Sequence, residues 1–305
     1  MSELNMNQKP SWLKVNYNAK ETQEVVELMK ELQLNTVCNE ANCPNLGECY
    51  KKRTATFMIL GSQCTRNCKF CNVITAKPEA VDPEEPKHLA EAAKALKLKH
   101  VVVTSVDRDD LPDGGAEQFA KVIRELRKAL PEATIEVLIP DFKGDSESLL
   151  TVLREKPDVL NHNVETVPRI FKEVCPQSKY EISLKVLREA REFAEAEAEK
   201  NPTEPRMLVK TGVILGLGEN DEDLKGVYQD LVENGVDILT LGQYLRPSTA
   251  HMPVDRYVKP EEFERYKKEA EEAGIAYVAS SPLVRSSYRA EEALTMVRQQ
   301  AEAAQ

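Results

Sequence analysis

The sequence predicts an α/β fold of parallel strands, a partial (β/α)6 barrel, and three observations lead there. Short apolar runs alternate with longer amphipathic segments through most of the 305 residues. A helix-length segment separates each run from the next, so successive strands lie parallel with right-handed crossovers. The length suits one barrel domain, and the 41% apolar residues can fill its core. A doubly wound sheet satisfies the same alternation and stands as the alternative.

Residues 1–20 are polar and irregular. Residues 21–33 (ETQEVVELMKELQ) place Val25, Leu28, Met29 and Leu32 at helical spacing. Residues 36–50 are rich in Asn, Gly and Pro and read as a loop wrapped around something. The strands fall at 55–61 (ATFMILG), 100–106 (HVVVTSV), 134–140 (TIEVLIP), 159–165 (VLNHNVE), 209–217 (VKTGVILGL) and 238–245 (ILTLGQYL). A further apolar run lies at 276–284 (AYVASSPLV). Helices fit at 86–97, 114–130, 146–155, 180–199, 221–234, 260–273 and 288–303. The acidic, low-complexity stretch 194–205 (AEAEAEKNPTEP) reads as a helix end entering an exposed loop.

The net charge of −10, from 41 basic and 51 acidic residues, argues against a nucleic-acid surface. The start, MSELNMNQKPSWLK, has neither the apolar core of a secretory signal nor the Arg and Ser of a transit peptide. No run approaches the roughly 18 apolar residues of a membrane span. A soluble, cytoplasmic protein without a membrane partner is expected. Six of the seven cysteines lie at 38, 43, 49, 64, 68 and 71, while Cys175 stands alone and reads as an inert buried thiol. In an intracellular chain of this size, clustered cysteines point to metal or catalysis.

Cys64, Cys68 and Cys71 follow directly on the first predicted barrel strand, where loops open at the catalytic mouth. Three thiolates can hold three irons of a four-iron cluster and leave the fourth iron open. A structural zinc site instead calls for four ligands in paired knuckles. The C-x3-C-x2-C spacing, with Phe70 before the last cysteine, resembles the radical S-adenosylmethionine superfamily. That resemblance implies S-adenosylmethionine chelated to the open iron and cleaved by one electron to methionine and a 5′-deoxyadenosyl radical.

Gly212, Ile214, Gly216 and Glu219 resemble that superfamily's G-x-I-x-G-x-x-E pattern near the adenine, and the two glycines leave room for a flat ring. On strand 159–165, alternation puts Asn161, Asn163 and Glu165 on one face and His162 and Val164 on the other. A ribose would satisfy Asn163 and Glu165; an outward solvated face or an internal polar network would do so equally. Asp113 and Gly114 follow the second strand where the superfamily often has Gly-Gly-Glu. This chain has Gly114-Gly115-Ala116, so Asp113 serves as well as a helix N-cap.

Cys38, Cys43 and Cys49 are too widely spaced for a zinc knuckle and suit three corners of a second cubane. With them, the chain resembles the lipoyl synthase family from Trp12 to about Arg298. The resembling stretches include Ala55–Cys71, Asp109–Ala116, Leu138–Asp141, Asn161–Phe171, Gln243–Ser248 and Val284–Ala290, and the insert near 194–205 is the main departure. The resemblance implies an N-terminal extension (1–53) for the auxiliary cluster, a radical-enzyme barrel (54–275) and a C-terminal helical segment (276–305). It implies two 4Fe-4S clusters and S-adenosylmethionine, the latter held by Phe70, Asn163, Glu165, Gly212, Ile214 and Gly216. By resemblance Ser287, of Arg285-Ser286-Ser287-Tyr288, completes the auxiliary cluster. Spacing alone does not separate it from Ser286, and one of the two serines suits a helix cap.

The implied reaction inserts two sulfurs at carbons 6 and 8 of a protein-bound octanoyl-lysine. It consumes two S-adenosylmethionine molecules and takes sulfur from the auxiliary cluster. The implied partners are an octanoylated lipoyl carrier domain or glycine cleavage H protein, an electron donor such as ferredoxin or flavodoxin, and a cluster-repair protein. Lys51-Lys52-Arg53 and Arg289 are candidates for docking an acidic carrier. A sulfur-inserting enzyme of the biotin synthase kind and a zinc-stabilised binding module are the rival readings.

Overall fold

The structure, a computed structural model, describes residues 9–14, 22–51 and 55–303. Its strands are β1 (Asn35–Thr36), β2 (Thr56–Ile59), β3 (Gln63–Cys64), β4 (Ile74–Thr75), β5 (His100–Ser105), β6 (Thr134–Leu138), β7 (Val159–Asn161), β8 (Leu208–Leu215), β9 (Ile238–Gln243) and β10 (Tyr277–Ser280). Eight form one sheet in the order β1-β2-β5-β6-β7-β8-β9-β10. From β2 to β10 every pairing is parallel, and β1 joins β2 antiparallel. Spatial order follows chain order without the reversal that a doubly wound sheet requires, so that alternative falls. No pairing among the described residues joins β10 back to β1, and the barrel is open there. The apolar run at 276–284 supplies β10, a parallel strand beyond the six expected.

The crossover helices are α4 (Glu85–Ala95), α5 (Ala116–Ala129), α6 (Ser146–Leu153), α8 (Tyr180–Lys200), α9 (Asp221–Glu233) and α10 (Pro260–Ala273). The short α7 (Pro168–Val174) precedes α8. Local sequence sets their starts. Asp145 caps α6 through the Ser148 amide, and Asn220 with Asp223 forms a reciprocal cap on α9. α5 buries Phe119, Val122, Ile123 and Leu126, the apolar stripe of a helix packed on a sheet. The acidic stretch behaves as read: α8 runs to Lys200 and an irregular loop follows. The N-terminal helices are α1 (Gln23–Glu31), α2 (Val37–Glu40) and α3 (Leu46–Lys51). The last helix, α11 (Ala290–Ala303), closes the barrel end where strands begin. Its Ala293, Leu294 and Val297 pack on Val159, Leu208 and Ile238, and Arg298 bonds Asp158 at 2.9 Å.

Strand 159–165 departs from simple alternation. Asn161 pairs with Lys210 and Glu165 with Val213, so one extra residue sits on the first side. The Thr211 hydroxyl takes the Val164 amide at 3.1 Å where a ladder carbonyl would have stood. This bulge turns His162, expected on the far face, toward the interior as well.

A layer of buried polar side chains crosses the barrel. Lys210 Nζ donates to Glu136 Oε1 at 2.8 Å, Asn161 Nδ2 reaches the same oxygen at 3.3 Å, and His100 Nε2 lies 3.5 Å from the other. Burial pushes the Glu136 carboxyl up, but Lys210 and His100 more than offset this and hold it at about 2. Both members of the pair are 1% exposed, so removing one leaves the other buried and unpaired. We expect Glu136→Gln to cost about 3–5 kcal/mol, and Glu136→Gln with Lys210→Met to recover part of it. Urea unfolding of the metal-free protein checks this, and a single variant as stable as the parent contradicts it.

Candidate active site

The barrel holds one cavity of about 550 Å³, open at the strand ends and lined toward the strand starts by Thr56, His100 and Glu292. All six clustered cysteines line it, with Asn163, Glu165, Ser286 and Ser287. The loops that reach it follow β2, β5, β6, β7, β9 and β10, the end at which barrels place their chemistry.

The first thiol triplet is positioned by a buried arginine. Arg66, between Cys64 and Cys68, donates from Nε and Nη2 to Asp109, both at 2.8 Å. It also bonds Asp141 at 2.6 Å and Ser178 at 2.9 Å, and Asp107 lies at 3.4 Å. The amides of Arg66 and Asp107 point at Cys64 Sγ from 3.4 and 3.3 Å. The rest of the loop is held by its backbone. His251 Nε2 meets the Cys71 carbonyl at 2.9 Å, the Met252 amide donates to Lys69, and the Lys69 amide donates to Val174. The loop's anchoring thus comes mainly from Arg66 and the backbone, with Cys64 Sγ adding its contacts to the Arg66 and Asp107 amides. Burial, then Asp107, pushes the Cys64 thiol up to about 11, and burial pushes Cys71 up to about 12. Burial also raises Asp107 to about 6, against the pull of Arg66, and Glu165 to about 7.

Cys175 is not isolated as its sequence position suggested. It lies against Cys68 and lines the same cavity, and the Cys68 sulfur, followed by burial, pushes its thiol up. A separation of over a hundred residues hides this contact from the sequence.

The second triplet is assembled by both ends of the chain. Thr36 caps α2, which carries Cys38, through the Asn39 amide at 3.3 Å, and its hydroxyl pairs with Tyr50 at 2.7 Å. The Cys43 amide bonds the Cys38 carbonyl, and Cys49 rides on α3. Asn45 donates to the Leu283 carbonyl at 2.7 Å, and Tyr288 donates to Glu48 at 3.0 Å. Thr56 then separates the two serines. Its amide and hydroxyl face Cys38, and its hydroxyl donates to Ser287 Oγ at 2.7 Å. Ser286 instead pairs with Asn163, at 3.0 and 3.2 Å. Both hydroxyls are thus committed away from α11, and the cap expected of one of them is not their role. Burial pushes the Cys38 thiol up to about 12. Asn72, next to Cys71, donates to the Glu40 carbonyl at 2.8 Å and ties the two cysteine segments together.

Of the residues expected near S-adenosylmethionine, Phe70, Asn163, Glu165, Gly212 and Ile214 line the cavity, and Gly216 does not. A Cβ on Gly212 would meet Thr240 Oγ1 at 2.7 Å and Asn163 Oδ1 at 2.8 Å. Gly216 has φ +96°, and a Cβ there would meet Gln243 Nε2 at 2.3 Å and the Arg256 carbonyl at 2.5 Å. The space freed by both glycines is thus taken by the chain's own atoms. Glu219 closes this turn by accepting from the Gly216 and Leu217 amides at 2.7 and 2.9 Å. Asp113 accepts from the Gly115 and Glu117 amides at the start of α5, away from the cavity lining.

Among the described residues no three His, Cys, Asp or Glu side chains close on a single ion. Three soft thiols from one loop, spread around an open cavity, fit three corners of a four-iron cluster with one iron free for a substrate.

Fold and site together define a radical S-adenosylmethionine enzyme. The chain matches the Radical SAM superfamily over residues 58–231. It shares the fold of methylornithine synthase (TM-score 0.52, 12% identity, covering 92% of this chain and 96% of that one). It shares it also with SuiB of Streptococcus suis (TM-score 0.55, 12% identity, covering 85% and 60%). Sequence relatives narrow the class. A lipoyl synthase of Alkaliphilus metalliredigens is 50% identical over 292 residues, 95% of this chain and 97% of that protein. One from Caldanaerobacter subterraneus is 51% identical over 290 residues, covering 95% and 98%. The chain belongs to the lipoyl synthase family.

Arg66, Asp107, Asp141 and Thr56 carry much of this site and were not singled out by motif. Replacing Arg66 by Met leaves three carboxylates facing one another without their cation. We expect a cost of about 3–5 kcal/mol, faster hydrogen exchange across residues 64–71, and less iron retained after anaerobic reconstitution. Exchange in that segment unchanged from the parent contradicts the pinning role.

Proposed function

We propose that the chain is a lipoyl synthase, inserting sulfur at carbons 6 and 8 of a protein-bound octanoyl-lysine. The observation that carries this reading is that both cysteine triplets open into one cavity and are joined through Asn72 and Glu40. When bound, two four-iron clusters and two S-adenosylmethionine molecules per product supply the one-electron chemistry that removes hydrogen from unactivated carbon, together with the sulfide that replaces it. No acid or base among the side chains can ionise a methylene group, so the residues here bind, orient and exclude water.

Cys64, Cys68 and Cys71 hold one cluster and leave a corner open. Asn163 and Glu165 offer an amide and a carboxyl to the sugar hydroxyls of S-adenosylmethionine, beside Phe70, Gly212 and Ile214. The carboxyl of Glu165, raised to about 7 by burial, can donate as well as accept there. Gly216 acts one step removed, by shaping the turn that follows Ile214. Cys38, Cys43 and Cys49 hold the auxiliary cluster, and the Thr56 bond that brings Ser287 to the Cys38 side favours Ser287 as its fourth ligand. Val102, Leu138 and Val213 give the cavity an apolar wall for the acyl chain.

The partners in this reading are an octanoylated carrier domain or glycine cleavage H protein, a ferredoxin or flavodoxin, and a protein that rebuilds the spent cluster. Arg289 is exposed for carrier docking but shares its charge with Glu292 at 3.6 Å, while Lys52 and Arg53 lie outside the described residues. Among the described residues no helix is long and apolar enough to cross a membrane. The cysteines form no disulfide, which suits the reducing cytoplasm where we place the enzyme.

Two variants test the division of labour. Cys68→Ala should abolish S-adenosylmethionine cleavage to 5′-deoxyadenosine. Cys43→Ala should keep that cleavage and abolish sulfur insertion into an octanoyl-lysine peptide, read by mass spectrometry. Normal deoxyadenosine formation by the first variant, or lipoyl product at the parental rate from the second, sinks the assignment.

A further inference from the structure

Arg285 differs from the two fully buried arginines among the described residues. Arg66 and Arg108 each meet a carboxylate within 3 Å. Arg285 faces the cavity, half-buried, and no carboxylate among the described residues pairs with it. Its Nη1 donates to the carbonyls of Val284 at 2.6 Å and Pro282 at 3.5 Å, both within its own turn. A guanidinium has five N–H donors, so most of its capacity is left for something in the cavity. Its place is also built by the partner strand. Gly242 on β9 has no side chain where a Cβ would come within 3.2 Å of Nη1. Cys43 of the second triplet lines the same cavity, and its charge acts on the guanidinium.

A cation partly withdrawn from water without a counter-charge is costly. In a chain with ten excess negative charges, supplying a carboxylate would have been easy. That none is there points to an anion absent from the polypeptide. Three thiolates and one serine alkoxide give a four-iron cluster net negative charge, and such a cluster beside Cys43 is that anion.

We propose that Arg285 is the counter-cation of the auxiliary cluster: a positioning residue whose fixed charge and free N–H donors face the sulfur cage held by Cys38, Cys43, Cys49 and Ser287. This rests on the auxiliary-cluster reading above. A neighbouring positive charge favours an added electron, so Arg285 raises this cluster's reduction potential. It also lowers the cost of enclosing the cluster, and so favours its retention.

The test uses the full chain with Cys64, Cys68 and Cys71 all changed to Ala, so that the auxiliary site alone is loaded. Iron and sulfide are counted after anaerobic reconstitution, and the midpoint potential is read by electron paramagnetic resonance. If this background holds no cluster while Arg285 is intact, the auxiliary-cluster reading itself fails. If it holds one, Arg285→Gln should lower the potential or lose the cluster, and Arg285→Lys should stay close to the parent. A loaded Arg285→Gln chain with unchanged potential overturns the proposal and leaves the guanidinium for another anion, such as the carboxylate of S-adenosylmethionine. Equal loss of cluster, or an equal fall in potential, with Gln and with Lys also overturns it, because charge would then not be what matters.

Discussion

A guanidinium enclosed among carboxylates fixes the first half of this site. Arg66 lies inside the Cys64–Cys71 loop and gathers Asp107 and Asp109 from the end of β5 and Asp141 from the end of β6. The loop is thereby fastened to two strand ends by charge-assisted bonds, which are shorter and stronger than neutral ones. Cys64 Sγ adds to this by accepting from the Arg66 and Asp107 amides. The arginine and the backbone contacts of Lys69 and Cys71 hold the loop, while burial disfavours the thiolate forms of Cys64 and Cys71. Metal must displace protons from these thiols, so loading the site is linked to proton release.

The second half of the site depends on the meeting of distant chain segments. Residues 38–49 and 283–288 have no local reason to adjoin, yet Asn45, Glu48 and Thr56 each bond across to the C-terminal turn. β10 delivers that turn to the cavity mouth, and α11 anchors it by closing the opposite end of the barrel. The site thus carries a topological requirement. The N-terminal cysteines meet the C-terminal turn only in a fold where β10 has joined β9.

Much of the architecture was legible in the sequence because period and spacing are local properties. Each barrel strand and each crossover helix appears where the apolar pattern placed it, within a few residues. The two cysteine triplets declare themselves by spacing in the same way. What stayed hidden has a physical reason in each case. The bulge at 162–164 arises from a Thr211 hydroxyl on the neighbouring strand, which no reading of residues 159–165 alone could include. Cys175 meets Cys68, and Ser287 meets Thr56, through folds of the chain that leave no periodic trace. Gly212 and Gly216 were read as leaving room for a flat ring, and a Cβ at either would meet the protein's own side chains or backbone. The atoms that fill the space are the protein's own, and sequence gives no way to tell these from a ligand's. Arg66 sat in plain view between two cysteines. Its importance came only from carboxylates more than forty residues on.

The central claim is that sulfur leaves the protein's own second cluster, held by Cys38, Cys43 and Cys49, for a chain lying in the shared cavity. It is tested most directly by tracing the atom. Both clusters are assembled with heavy-isotope sulfide, free sulfide is removed, and the protein is incubated anaerobically with an octanoyl-lysine peptide, S-adenosylmethionine, a reductant and ordinary sulfide in the medium. The account predicts a peptide carrying two heavy sulfurs in the first turnover, and none from a Cys43→Ala chain. A product whose sulfurs carry the ordinary isotope of the medium would contradict it.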